Sequence, residues 1–214
     1  MKKIFFVLGV TVIFSCQTSK ITNTWTENNI SPKKYAKVLV LGILTDNDRE
    51  LKFKMEDHLA KDLNDLGYNA LAANKIFPPD TFVKGDTARA VDAINREGFD
   101  AVLTIVLLNK VKERQYVPAK PLYDREITLF NRFNRYYYSI HDRIYAEGYY
   151  TENTKLFWES NFYDIDNKKL IYSSQTRSFD PGSKETLAHY YGILIANNLV
   201  KKKILLEPPE PATP

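Results

Sequence analysis

Ala36–Leu44 reads AKVLVLGIL, a near-continuous apolar run of strand length. A strand buried on one face alternates apolar and polar residues, whereas an unbroken run is buried on both faces, as in a central strand flanked by helices. Thr45-Asp46-Asn47-Asp48 follows in the form of a capping box, with Asp48 three residues after Thr45. Leu51, Met55, Leu59, Leu63 and Leu66 then recur at helical spacing on one face up to Gly67, while Lys52, Glu56, Lys61 and Asp65 fall largely off that face and are expected in water. Tyr68 to Ala72 reads as a short strand and Phe77-Pro78-Pro79-Asp80 as a loop. Asp86 or Thr87 starts a second helix with Ala90, Val91 and Ile94 inward and Gly98 as its stop. Asp100–Val111, DAVLTIVLLNKV, is the second buried strand. Strand, helix, strand, helix, strand is the order of an α/β layer, with right-handed crossovers wherever neighbouring strands are parallel.

Beyond this layer the pattern changes. Phe157 to Ile165 and Leu170 to Phe179 read as two strands around the Asp/Asn-rich turn Asp164-Ile165-Asp166-Asn167-Lys168-Lys169. Asp180-Pro181-Gly182-Ser183 opens a last helix with Leu187, Tyr190, Tyr191, Leu194, Ile195 and Leu199 on its apolar face, and Lys201 to Lys203 complement its C-terminal dipole. The expected fold is α/β (α+β): a single domain with a mixed sheet of about five to seven strands and three main helices. No internal repeat is present.

The 214 residues include 30 Lys+Arg, 26 Asp+Glu, 13% aromatic residues and one cysteine. That content is too apolar and aromatic for a disordered chain, and one Cys forms neither an internal disulfide nor a thiolate metal cluster. The cysteine closes the first segment of the chain. Lys2 and Lys3 precede an apolar run from Ile4 to Phe14, broken by Gly9 and Thr11, and Ser15-Cys16 ends it. The run is too short to span a membrane, which takes about 20 apolar residues, and has the form of an export signal. Elsewhere the longest candidate, Ala101 to Leu108, is of strand length. Without Lys2 and Lys3 the chain keeps 28 basic and 26 acidic residues, a formal charge of +2 instead of +4. That near-neutral balance predicts no nucleic-acid partner.

A small residue directly before the cysteine, with Ile13 and Phe14 upstream, resembles the lipobox of bacterial lipoproteins. The resemblance implies that residues 1–15 are a signal peptide and that Cys16 becomes the first mature residue. Cys16 would then carry thioether-linked diacylglycerol, usually with an N-acyl chain, and anchor the protein to the membrane without spanning it. An ordinary signal peptide with an incidental cysteine, or a buried N-terminal strand, are the competing readings. Gln17 after the anchor, rather than Asp, and the lack of an acidic run resemble lipoproteins sorted to the periplasmic face of the outer membrane. Residues 16–34 (CQTSKITNTWTENNISPKK) then form a polar tether. Its eighteen residues after Cys16 would extend to roughly 60 Å or average about 25 Å if flexible. Trp25 docks on the domain or rests at the membrane interface. Residues 35–206 form the domain, and residues 207–214, with four prolines, form a solvated tail.

These features, with KVLVLGI, Glu56-Asp57-His58-Leu59, Phe99-Asp100-Ala101-Val102-Leu103, Tyr116-Val117-Pro118 and NFYDIDNKKLIYSSQT, resemble a family of uncharacterised bacterial envelope lipoproteins. The layout is more loosely similar to the α/β domain of lipoprotein activators of penicillin-binding proteins and of the curli-secretion lipoprotein. The likeness implies a small periplasm-facing module and, by analogy, protein binding.

Catalytic signals are sparse. His58 lies beside Asp57 and four residues before Asp62, His141 is followed by Asp142, and His189 lies four residues after Glu185. None completes a metal or nucleophile constellation, although Ser, His and Asp partners can meet only in the fold. Asp164-x-Asp166 has the start of a calcium loop without its Gly and Glu, and reads as a turn. No G-x-S-x-G elbow or phosphate-cradling loop occurs, and no cofactor is implied. The unusual stretch is Tyr116 to Tyr150. Tyr116, Arg132, Arg135, Tyr136, Tyr137, Tyr138, Tyr149 and Tyr150 combine amphipathic rings with guanidinium groups, a composition enriched at protein interfaces and suited to glycans or lipid headgroups. The same rings could instead fill a strand face or pack beneath a loop. Two function classes follow: a non-enzymatic, lipid-anchored binding or accessory module with an envelope protein partner, or a hydrolase or glycan-acting enzyme whose site is assembled from distant residues.

Overall fold

The computed structural model describes residues 19–82, 86–117 and 149–206. The strands are β1 (Ser19–Thr26), β2 (Val38–Ile43), β3 (Ala70–Ala72), β4 (Ala101–Val117), β5 (Tyr149–Asp164) and β6 (Lys169–Phe179). The helices are α1 (Arg49–Asp65), the single turn α2 (Ala73–Ile76), α3 (Thr87–Arg96) and α4 (Lys184–Lys201). All six strands join one mixed sheet in the order β1-β6-β5-β4-β2-β3, an α+β fold. β2 pairs in parallel with β3 on one edge and β4 on the other, while β4, β5, β6 and β1 pair antiparallel. The two crossovers from this parallel unit run in opposite directions, α1 over one face and α3 over the other, as right-handed connections require.

Face one carries the main core. Met55, Leu59 and Leu63 of α1 and Leu187, Ile195 and Leu199 of α4 are buried in one cluster with Leu103, Ile105, Trp158 and Phe162 of the sheet. Trp158 packs against Tyr191 at 5.4 Å between rings, and the Tyr191 hydroxyl, in the same buried layer, pairs with Ser160 Oγ at 2.8 Å. Along β6, Tyr172, Ser174, Thr176 and Ser178 are buried beneath this layer, and the alternate residues Ser173, Gln175 and Arg177 turn toward solvent. Face two is covered at its parallel end, where Ile94 and Phe99 pack on Leu39, Leu41 and Val102.

Several local expectations change. β1 occupies much of the stretch read as a tether: Ser19 through Thr26 pairs with Ser178 through Tyr172, and Ser19 is buried with its hydroxyl 2.7 Å from that of Ser178. The sequence SKITNTWT hides this strand because an edge strand covered on one face needs few apolar residues. Trp25 is 46% exposed, so it is not buried against the domain. The capping box does not form. Thr45 Oγ1 donates to Asp48 Oδ2 (3.0 Å), residues Asp46–Asp48 make a 3-10 turn, and α1 starts at Arg49. In α3 the Asp86 side chain caps the Arg89 amide at 3.1 Å, but the buried residues are Ala93 and Ile94, and Val91 is half exposed. On α4, Tyr190 also faces outward.

α1 and α4 cross closely at Gly192. A Cβ there would lie 3.3 Å from Leu59 N and Cα and would overlap Asp62 Oδ2. Gly192→Ala is therefore expected to lower stability by about 1–3 kcal/mol. Adding Asp62→Ala should restore part of the loss, as read from urea midpoints, because the Asp62 carboxylate can be removed while the Leu59 backbone cannot.

Candidate functional site

The most distinctive surface is an extension of the sheet. β4 and β5 pair without a break in direction from Ala101↔Asp164 to Val117↔Tyr149, with a bulge between Leu107 and Asn109. Their outer neighbours stop much earlier. β2 ends opposite Val106, and β6 ends at Phe179 opposite Lys155. From there a two-stranded arm continues for six more residues on β5, Thr154 back to Tyr149, roughly 20 Å at strand rise. Isolated two-stranded ribbons are marginal in water. Cross-strand ion pairs support this one: Arg114 Nε lies 2.9 Å from Glu152 Oε1, directly opposite in register, and Lys155 Nζ lies 2.6 Å from Glu113 Oε2 on the diagonal. The arm's described end is aromatic. Tyr116 and Tyr150 face each other in register with ring centroids 5.4 Å apart, and Tyr116, Tyr149 and Tyr150 are 51%, 59% and 68% exposed.

Three of the residues singled out in the sequence thus meet at the described end of one arm. Arg132, Arg135, Tyr136, Tyr137 and Tyr138 lie in the chain that joins its two strands, outside the described residues; His141 and Cys16 also lie outside the described residues. The arm itself was hidden in the sequence: the strand beginning at Asp100 was expected to end at Val111 and the next to begin at Phe157. The alternation of Val111, Glu113, Gln115 and Val117 with Lys112, Arg114 and Tyr116 was the available signal.

Two histidines that looked unrelated come together between α1 and α4. His58 and His189 sit edge to face with ring centroids 5.7 Å apart, and His58 Nε2 lies 2.6 Å from Glu185 Oε1. Glu185 Oε2 also receives Lys54 Nζ at 2.6 Å. Hydrogen bonds from Lys54 and His58 pull the Glu185 carboxyl down to about 2. Asp62, four residues after His58, is pushed up by burial against the opposing pull of His189 and His58. This group ties the two helices together at the surface. It shares no residue with either crevice described next, and among the described residues no three His, Cys, Asp or Glu side chains are arranged to hold a metal ion.

One crevice, about 560 Å³, lies between α3 and face two and is lined by Leu41, Phe82, Ile94, Val102 and Tyr163, with Lys168 and Lys169. The other, about 110 Å³, lies beyond the C-terminal ends of β2 and β3 among Thr45, Arg49, Lys52, Phe53, Asn74 and Phe77. This second crevice has the usual location of a ligand in an open α/β sheet, but its volume is well below the 300 Å³ or so of a typical small-molecule site. Beside it lies a residue placed in water by its helical position. Glu56 is fully buried: Oε1 accepts from Gly42 N at 2.8 Å and Oε2 from Asn74 N at 2.9 Å. β3 pairs with β2 only as far as Val40, which leaves the Gly42 amide on that edge without a strand partner, and Glu56 supplies the acceptor. Gly42 leaves room for it, since a Cβ there would lie 3.0 Å from Oε1 and 2.8 Å from Lys52 Cγ. Burial raises the Glu56 carboxyl above the usual range, against the Gly42 and Asn74 amides and Lys52.

The Asp164–Lys169 segment is a turn, as expected. Asp164 accepts from Asn167 N at 3.0 Å and Asn167 Nδ2 at 2.9 Å, and Lys33 bridges Asp164 and Asp166 at 3.3 and 3.0 Å. Burial opposes ionisation of Asp164, but the Asn167 and Lys33 contacts outweigh it and hold the carboxyl below its ordinary value.

No family model and no curated protein matches the sequence. Among solved structures the chain is similar to the PelC dodecamer from Paraburkholderia phytofirmans, at 12% identity over 87% of this chain and 98% of that one, TM-score 0.43. It is also similar to lipoprotein GNA1162 from Neisseria meningitidis, at 18% identity over 78% and 99% of the two chains, TM-score 0.40. A neuraminyllactose-binding hemagglutinin homolog from Helicobacter pylori overlaps at 13% identity over 81% and 90%, TM-score 0.38. No helix among the described residues is long and apolar enough to cross a membrane.

Glu56→Gln should cost about 1–3 kcal/mol, because an amide cannot accept from both backbone donors. The native carboxyl binds its proton at higher pH than the unfolded chain does. Above the unfolded value, near 4.3, the folded state therefore holds more protons and stability rises as pH falls. Relative to Glu56→Gln, the wild type should gain stability between pH 7 and about 4.5 in parallel urea titrations; a gap that stays constant or narrows would contradict the assignment.

Proposed function

We propose that the protein is a lipid-anchored accessory module of the cell envelope, held through Cys16 on the periplasmic face of the outer membrane, and that the β4–β5 arm is its contact element. The observation that carries this reading is the arm itself. Among the described residues the two strands leave the sheet without a third partner, stitched by ion pairs, and present three tyrosines largely to solvent. Rigid rings of this kind bury much area on contact at small entropic cost, and neighbouring arginine adds forked hydrogen bonds. An envelope protein partner and the bilayer surface are both within reach of a lipid-anchored arm. Neither of these two crevices is lined by His58 or His189, and Glu185, the carboxylate beside His58, is engaged in joining α1 to α4. These features favour contact over catalysis.

The anchor is tested by Cys16→Ala. The substituted protein should leave the membrane fraction, whereas the wild type should carry the mass of a diacylglyceryl group on residue 16. Unchanged membrane fractionation together with an unmodified Cys16 would overturn the anchor.

A further inference from the structure

From the sheet register we infer that the arm docks on the surface of the bilayer that holds the lipid, with its tyrosines in the headgroup layer. This inference rests on the lipid-anchor reading above and names the partner of the same arm.

The direction follows from strand pairing. Ser19, the first residue of β1, is paired with Ser178, one residue from the end of β6; Phe179, the last, is paired with Lys155, where the arm begins. The N-terminal end of β1 and the root of the arm therefore lie at one end of the sheet. Walking back from Ser19, the chain leaves β1 in the direction in which the arm projects. The opposite end carries the Asp164–Lys169 turn and the C-terminal end of α4, where Leu206 N donates to the Tyr68 hydroxyl at 2.7 Å.

The distances leave little freedom. Ser19 is fixed in the sheet by its buried hydroxyl pair with Ser178, and Cys16 is three residues away, so the lipidated residue stays within about 10 Å of the sheet end. β1 and β5 are two strand spacings apart, again about 10 Å. The described part of the arm extends roughly 20 Å past the same end, about twice the length of the leash. A domain held that close to the membrane meets it with the arm first. The headgroup layer is roughly 5–8 Å thick on each side of the hydrocarbon, so the arm is long enough to enter it and must tilt to remain there.

The side chains suit that layer. Tyrosine rings concentrate where one edge of the ring is apolar and the other wet. From its root outward the described arm carries Lys112, Arg114 and Lys155 against Glu113 and Glu152, a small positive excess that suits an anionic surface. The charged pairs Arg114–Glu152 and Lys155–Glu113 would be costly in hydrocarbon and are tolerated at the interface.

Because lipid consumes the only cysteine, a single introduced thiol is a unique label position. The acylated full chain carrying Gln115→Cys on the arm, or Lys202→Cys beyond α4 at the opposite end, is labelled with a fluorophore and reconstituted in vesicles of phosphatidylethanolamine and phosphatidylglycerol containing headgroup-nitroxide lipid. The label at residue 115 should be strongly quenched and that at residue 202 should not. Tyr116→Ser with Tyr150→Ser should reduce the quenching at residue 115 while the protein still floats with the vesicles. Protein that floats with an unquenched residue 115, or with both positions equally quenched, overturns the docking and leaves the anchor intact; an arm free in this way would be available to a protein partner. Protein that does not float overturns the anchor, and this orientation with it.

Discussion

β4 is paired on both edges for its first six residues and on one edge for most of the remainder. That asymmetry divides the molecule. Where β2 and β5 both flank β4, Ala101 to Ile105 are buried, and Ala101, Leu103 and Ile105 are fully sealed. Where β2 has ended, the strand passes from core into the arm, and its residues change from Val, Leu and Ile to Lys, Glu, Arg and Tyr. One continuous backbone ladder with β5 thus supports a packed domain at one end and an exposed ribbon at the other. Any position along the arm is fixed relative to the core by the same register.

The short β3 has a comparable effect on the other side of the sheet. Its three residues leave Gly42 of β2 without a strand acceptor, and the chain answers with a buried carboxylate from α1. Glu56 thereby joins β2, α1 and α2 through two backbone amides. Gly42 and Gly192 play matching roles, one admitting the Glu56 carboxylate and the other admitting Asp62 where α1 meets α4. In both places the missing Cβ is required by close approach.

Much of this was legible in the residues. The unbroken apolar run of β2, the spacing of Leu51 to Leu63, the hairpin around Asp164–Lys169 and the face from Leu187 to Leu199 each reflect a burial pattern that repeats along the chain, and each appears in the fold. What was not legible depends on contacts distant in sequence. Glu56 occupies a helical position that reads as solvated, and only the early end of β3 makes it an acceptor. His58 and His189 are separated by most of the chain and meet because α1 and α4 pack side by side. β1 was concealed by its Thr and Asn content, since an edge strand with one half-covered face carries little apolar signal. Of the candidate surface, Tyr116, Tyr149 and Tyr150 were found as residues, but their union at the described end of one arm follows from pairing that composition does not encode.

β1 also changes the physical meaning of the N-terminal cysteine. With a flexible stretch of eighteen residues, the domain would have stood free of the membrane in any orientation. With β1 in the sheet, only Gln17 and Thr18 separate Cys16 from a residue locked by a buried hydroxyl pair. The lipid would then determine where the domain is held and which end faces the bilayer. Hydrogen exchange on the acylated protein in vesicles tests this most directly. The β6-facing amides of Ser19–Thr26 should be protected to a degree comparable with those of β6 itself. Exchange of these amides at the rate of an unstructured chain would show that β1 is a loose tether, and would contradict the account.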